Sequence, residues 1–158
     1  MKIALAFLTT TCLSIAAHCA EPVASIESTD LGPVPQDVNS AIAADSSFSA
    51  FQTLQCKIKG KTVALSSDSS AKTWFVTTAG ACGWGAALGP IWLVQNTASG
   101  KASLILSTGG YALSPSKKSH NGMMDVNIVS GTAETSGSAK YIFAGRSYKP
   151  TKGGAIHK

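Results

Sequence analysis

The chain has 158 residues, 44% of them hydrophobic and 13% charged, with a formal net charge of +5. That length is enough for one domain with a real core and too short for two. A single arginine among the thirteen bases, in a chain that reads as exported, argues against nucleic acid as a partner.

Residues 1–20 have the layout of a secretory signal peptide: Lys2, an apolar run Ile3–Ala17, then small residues up to Ala20. The run is too short and too interrupted by threonine for a membrane anchor, so no membrane insertion is expected. Cleavage after Ala20 removes Cys12 and Cys19 and leaves about 138 residues carrying Cys56 and Cys82. Two cysteines in an exported chain most often form one disulfide. The expected location is the periplasm or outside the cell.

Charge is divided along the mature chain. From Glu21 to Cys56 there are five acids and no Lys or Arg; from Lys57 onward twelve bases face three acids. Either the acidic segment lies across the basic body, or a basic face is kept for an anionic partner. Residues 21–35, with three prolines, are expected to form an extended acidic arm. Helical periodicity follows over Gln36–Gln55, with Val38, Ala41, Ala44, Phe48 and Phe51 on one face. Asp45-Ser46-Ser47 is a point where that helix can divide, because Asp and Ser compete for backbone hydrogen bonds.

Beyond Cys56 the pattern changes to short strands, expected near Thr62–Ser66, Thr73–Thr78, Ile91–Asn96, Ala102–Ser107, Gly110–Leu113, Asp125–Val129 and Lys140–Phe143, the last extending toward Tyr148. Breaks are expected at Gly109-Gly110, Ser114–Gly122 and Gly131–Ser138, among others. From Thr73 through Gly100 there is no charged residue or histidine, which places this stretch at the centre of the core. The fold expected is α+β and mostly β: an antiparallel meander or small barrel-like sheet over residues 36–149, one N-terminal helix, one disulfide, and a disordered tail over 150–158.

Catalytic and metal-binding patterns are sparse. There is no Gly-x-Ser-x-Gly elbow and no HExxH, and Gly60-Lys61-Thr62 lacks the earlier glycine of a phosphate loop. His120 and His157 are isolated, so no metal or other cofactor is expected. The remaining enzyme reading is a cysteine-dependent hydrolase with Cys82 as nucleophile, His120 as base and Asp125 or Asn121 as orienter. A Cys56–Cys82 bridge would remove it.

One segment has a recognisable pattern. Lys117-Lys118-Ser119-His120-Asn121-Gly122 leads into Asp125-Val126-Asn127-Ile128-Val129, and Lys140-Tyr141-Ile142-Phe143 ends in Gly145-Arg146-Ser147-Tyr148. An Asn-Gly loop, an Asp opening an alternating strand, and an aromatic strand ending in Gly-basic-x-Tyr resemble the hairpin of FG-GAP/VCBS-type repeats. The segment also resembles small exported bacterial proteins such as the periplasmic I-type lysozyme inhibitors. In the calcium-binding repeats the loop is acidic; here Lys117, Lys118 and His120 occupy such places, so calcium is not expected. The resemblance implies inhibitory activity. Partner-binding residues are expected to be Lys117, Lys118, His120, Asn121, Lys140, Arg146, Tyr148 and Lys149. The partner would be a protein with an acidic patch or cleft, a hydrolase or toxin. The alternative is a module binding an anionic envelope polymer such as peptidoglycan.

Overall fold

The structure is a computed structural model and describes residues 22–86, 88–97, 100–131 and 137–151. The expected signal peptide and the tail from residue 152 lie outside the described residues. The segment expected as an arm is extended and built into the body. Its strand β1 (Ala24–Ser25) pairs antiparallel with Ala112–Leu113, and Ile26 is fully buried. Two of its acids reach the basic body: Asp30 pairs with Lys61 at 2.6 Å, and Glu27 accepts from the Tyr111 hydroxyl at 3.0 Å.

Helix α1 (Gln36–Ala43) starts directly after Pro35, with Asp37 in its first turn, where a negative charge favours the helix dipole. It ends before Asp45, whose extended backbone and side chain, accepting from the Ser47 N–H at 2.9 Å, start a short 3-10 turn over Ser46–Phe48. Helix α2 (Ser49–Thr53) follows. The expected helix is thus two, divided at Asp45-Ser46-Ser47.

Strands β2 (Ile58–Val63), β3 (Lys72–Thr78), β4 (Gly89–Asn96) and β5 (Ala102–Gly110) form one antiparallel sheet in chain order. Strands β6 (Ala112–His120), β7 (Met123–Ser130), β8 (Gly137–Phe143) and β9 (Tyr148–Pro150) continue as a meander in a second sheet, with β1 on the outer side of β6. The chain passes from sheet to sheet at Tyr111. Gly110 permits that crossing: a Cβ there would collide with Ile128, and would sit 3.1 Å from the Val129 carbonyl and 3.2 Å from Ile91.

The main core lies between the sheets. It joins Val63, Phe75, Ile91, Leu93 and Ile105 of the first to Leu113, Met123, Val126, Ile128 and Phe143 of the second. On the other face of the first sheet, Val76, Trp92 and Val94 pack against Val38 and Ile42 of α1 and against Phe48. Strands β3 and β4 are therefore covered on both faces, which is why Thr73–Thr78 and Gly89–Asn96 carry no charge. The Trp92 ring meets Phe48 and Phe51 edge-on at 5.5 and 5.4 Å, and its indole N–H donates to Ser47.

The mostly-β antiparallel fold is as expected, the meander of the two alternatives, divided into two sheets with no closed barrel. Three expectations need correction. Ser114–Gly122 is not a break, because all of it up to His120 belongs to β6. Gly109-Gly110 is no break either; β5 runs through it and the turn comes one residue later. At the C-terminal end β9 begins at Tyr148 after a turn and includes Pro150, which had been placed in the tail. The expected Cys56–Cys82 disulfide is present, with Cα atoms 5.6 Å apart, tying the end of the helical layer to the β3–β4 connection.

Candidate functional site

Three connections meet at one end of the sandwich. The β6–β7 turn is Asn121-Gly122, with φ of 50° and 78°, closed by the pairing of His120 with Met123. Two successive left-handed residues make the tight hairpin turn that Asn-Gly favours. The β2–β3 connection grips that turn: the Ser67 N–H and hydroxyl both donate to the Gly122 carbonyl, at 3.0 and 3.1 Å. From the other side the Asn121 side-chain amide donates to the Phe143 carbonyl at 2.9 Å, fixing the start of the β8–β9 turn. A cleft of about 310 Å³ opens among them, lined by Ser66, Ser67, Asp68, Gln95, Asn121 and Phe143 among others.

Beside this end lies a buried charge. Val126 and Ile128 point into the core, so Asp125 belongs to the outer face of the second sheet, yet it has no exposed surface. His120 Nδ1, from the end of β6, lies 2.5 Å from Asp125 Oδ1. Lys140 Nζ, from β8, lies 3.1 Å from Oδ2, an ion pair without the alignment of a hydrogen bond. Burial alone would raise the carboxyl's pKa. The His120 contact at Oδ1 and the Lys140 ammonium beside Oδ2 outweigh it and hold the group below the ordinary carboxylate range. The chain therefore keeps an anion under two half-exposed side chains from strands on either side of β7.

The expected partner-binding residues fall into three groups. Lys117, Lys118, Arg146 and Lys149 are exposed, and no carboxylate among the described residues pairs with them. Lys117 and Lys118 sit in the irregular stretch of β6 between Pro115 and Ser119, beyond the reach of β1. His120, Asn121 and Lys140 are accessible but engaged, as described above. Tyr148 does not belong to a binding surface: its ring is buried against Phe143 at 5.3 Å, and its hydroxyl donates to the Met124 carbonyl at 2.7 Å. Burial and then the nearby Asp125 charge push its phenol pKa up.

The orienter contact of the cysteine-hydrolase reading exists, His120 to Asp125, but the nucleophile does not, because Cys82 is bonded to Cys56. The cleft residues Ser66, Asp68 and Gln95 form no motif in the sequence: Ser66 and Asp68 share the β2–β3 connection, and only the sheet pairing brings Gln95 of β4 beside them. Among the described residues there is no group of three His, Cys, Asp or Glu able to hold a metal, and no helix long and apolar enough to cross a membrane. No family model, curated protein or solved structure matches the chain.

Proposed function

We propose that this chain is an exported, non-catalytic binding protein, an inhibitor or immunity protein acting on a cell-wall hydrolase or toxin. The observation that carries the reading is the loop end itself. Three connections are hydrogen-bonded into one fixed surface, and Lys117, Lys118 and Arg146, without acidic partners among the described residues, belong to or adjoin its strands and turns. A preformed surface loses little entropy on binding, and unpaired cations at its rim steer an acidic patch toward it. The leader-like first twenty residues and the disulfide support export.

The test is affinity capture from the producing cells and their competitors with the mature protein and with Lys117→Glu/Lys118→Glu/Arg146→Glu. A partner held by the first and lost by the second, whose lytic activity the wild-type protein suppresses, is the expected result. Retention on purified peptidoglycan with no protein partner would instead favour a polymer-binding module.

A further inference from the structure

The edge strands of the two sheets differ in how they meet solvent. A free strand edge presents unpaired N–H and C=O groups, which proteins shield by short length, charge, proline or a covering segment. Strand β1 has two residues, and β9 has three and ends in Pro150. The open part of β6 carries Pro115, Lys117 and Lys118. Strand β2 carries Lys59 and Lys61, and its Gly60 exchanges both backbone hydrogen bonds with Gly32, at 2.8 and 2.9 Å. Strand β5, the other edge of the same sheet, has none of these devices. Its nine residues hold no charge and no proline, Ser103, Ser107 and Gly109 are exposed, and no strand among the described residues pairs with its outer side.

The one irregularity in β5 decides how such an edge can pair with its own kind. Ile105 is the extra residue between the Leu93–Leu106 and Val94–Leu104 pairs, and it shares the main-core face with Leu106. A two-fold axis perpendicular to a sheet leaves each side chain on its own face, so opposed residues must share a face. In a regular strand neighbours point oppositely, and no such axis can pass between two of them. In β5 it can pass between Ile105 and Leu106, and the pairs outward from there agree. Leu104 packs on the helical side, and Ser107 pairs with Trp92 of that side. Ser103 pairs with Gln95, whose amide reaches Met123 between the sheets, and Thr108 meets the Tyr141 hydroxyl there at 3.1 Å. Ala102 then falls opposite Gly109, and Lys101 opposite Gly110, which has no side chain. The two Lys101 residues stand about 30 Å apart at ~3.3 Å per residue, well beyond the screening length at physiological salt.

We infer that β5 is a self-association edge: two copies of the chain join antiparallel through Ala102–Gly110, about a two-fold axis at Ile105–Leu106, and make one continuous sheet from two four-stranded ones. Because β2 at the far side of the sheet is shielded, the assembly closes at two. The contact uses neither Lys117, Lys118 nor Arg146, and it does not rest on the binding function proposed above.

The experiment is analytical ultracentrifugation of the mature protein up to about 1 mM, where even a weak edge contact populates the dimer, joined to amide hydrogen exchange at low and high concentration. The expected result is a reversible monomer–dimer equilibrium with no larger species, and concentration-dependent protection confined to residues 101–110. Ser107→Lys brings two lysines within about 10 Å of each other, three residues apart across the axis, and should raise the dimer dissociation constant about tenfold. Lys117→Glu/Lys118→Glu should leave it unchanged. Ser107 and Ser103 are both exposed, so a thermal midpoint equal to wild type verifies the fold, and Ser103→Lys serves if the first variant misfolds. A monomer at every concentration, species beyond the dimer, protection elsewhere, or a dimer indifferent to the lysine variants would overturn the inference. Failure to capture a protein partner would leave this result untouched.

Discussion

Asp125→Asn isolates what the buried carboxylate contributes. The substitution keeps the shape and one acceptor but removes the charge that holds His120 and Lys140. Hydrogen bonds to charged groups contribute about 1.5–3 kcal/mol, and breaking a fully buried pair costs about 3–5 kcal/mol. Here the two partners keep 48% and 36% of their side-chain exposure, so water takes over part of their solvation when the carboxylate goes. The expected loss at pH 7 is therefore near the lower figure, about 2 kcal/mol, which moves the urea midpoint down by roughly 1–2 M at an m-value of ~1–2 kcal/mol/M. The pH dependence follows from the lowered pKa of Asp125 in the folded state. Its contribution is fully present above the unfolded value of about 3.9 and disappears as pH falls through the lower folded one. Urea denaturation of wild type and variant at pH 7, 5 and 3 should show a constant gap at the first two and a shrinking gap at the third. No gap at pH 7, or one that keeps its full size well below pH 3, would refute the reasoning.

Three further outcomes are expected. Replacing both Cys56 and Cys82 with Ser frees a loop with a sequence separation of 26, and chain entropy predicts a loss of about 3.5 kcal/mol, measurable as a lower thermal midpoint. Trp92→Ala removes a side chain only 1% exposed, together with its contacts to Phe48 and Phe51; denaturation should report a loss of about 3–5 kcal/mol. Gly110→Ala places a methyl against Ile128 and the Val129 carbonyl, and the backbone shift should cost about 1–3 kcal/mol by the same measurement.

The parts of the fold that were legible are those where one physical requirement dominates. A stretch without charge from Thr73 to Gly100 must be covered on both sides, and β3 and β4 are. Asp45 carries both the side chain and the spacing that end α1, and Asn121-Gly122 names its own turn. The rest depends on pairing between distant segments. The polar run from Ser114 to His120 shows no alternation because, among the described residues, no strand lies beside the outer edge of β6 past Leu113, and its register with β7 is broken at Lys117-Lys118. Proline, lysines and an irregularity are also how an exposed edge avoids pairing with other chains. Period two does not reveal which sheet a strand joins, so the crossing at Tyr111 was hidden.

At the site, the burial of Asp125 under two cationic neighbours was not legible, because its partner Lys140 lies on the next strand and is brought near only by the pairing of Asn127 with Lys140. Tyr148 looked like surface beside Arg146 and Lys149, and it is the register with Phe143 that turns its ring inward. The cationic residues were legible as a group, whereas the cleft was not.

The claim that this is a stoichiometric binder is tested most directly by titrating the captured enzyme with the purified mature protein while following hydrolysis. Binding through the loop end predicts that activity falls to its floor at one equivalent, and that Lys117→Glu/Lys118→Glu/Arg146→Glu leaves it running. Undiminished hydrolysis with wild-type protein in excess, or equal inhibition by the variant, would contradict it.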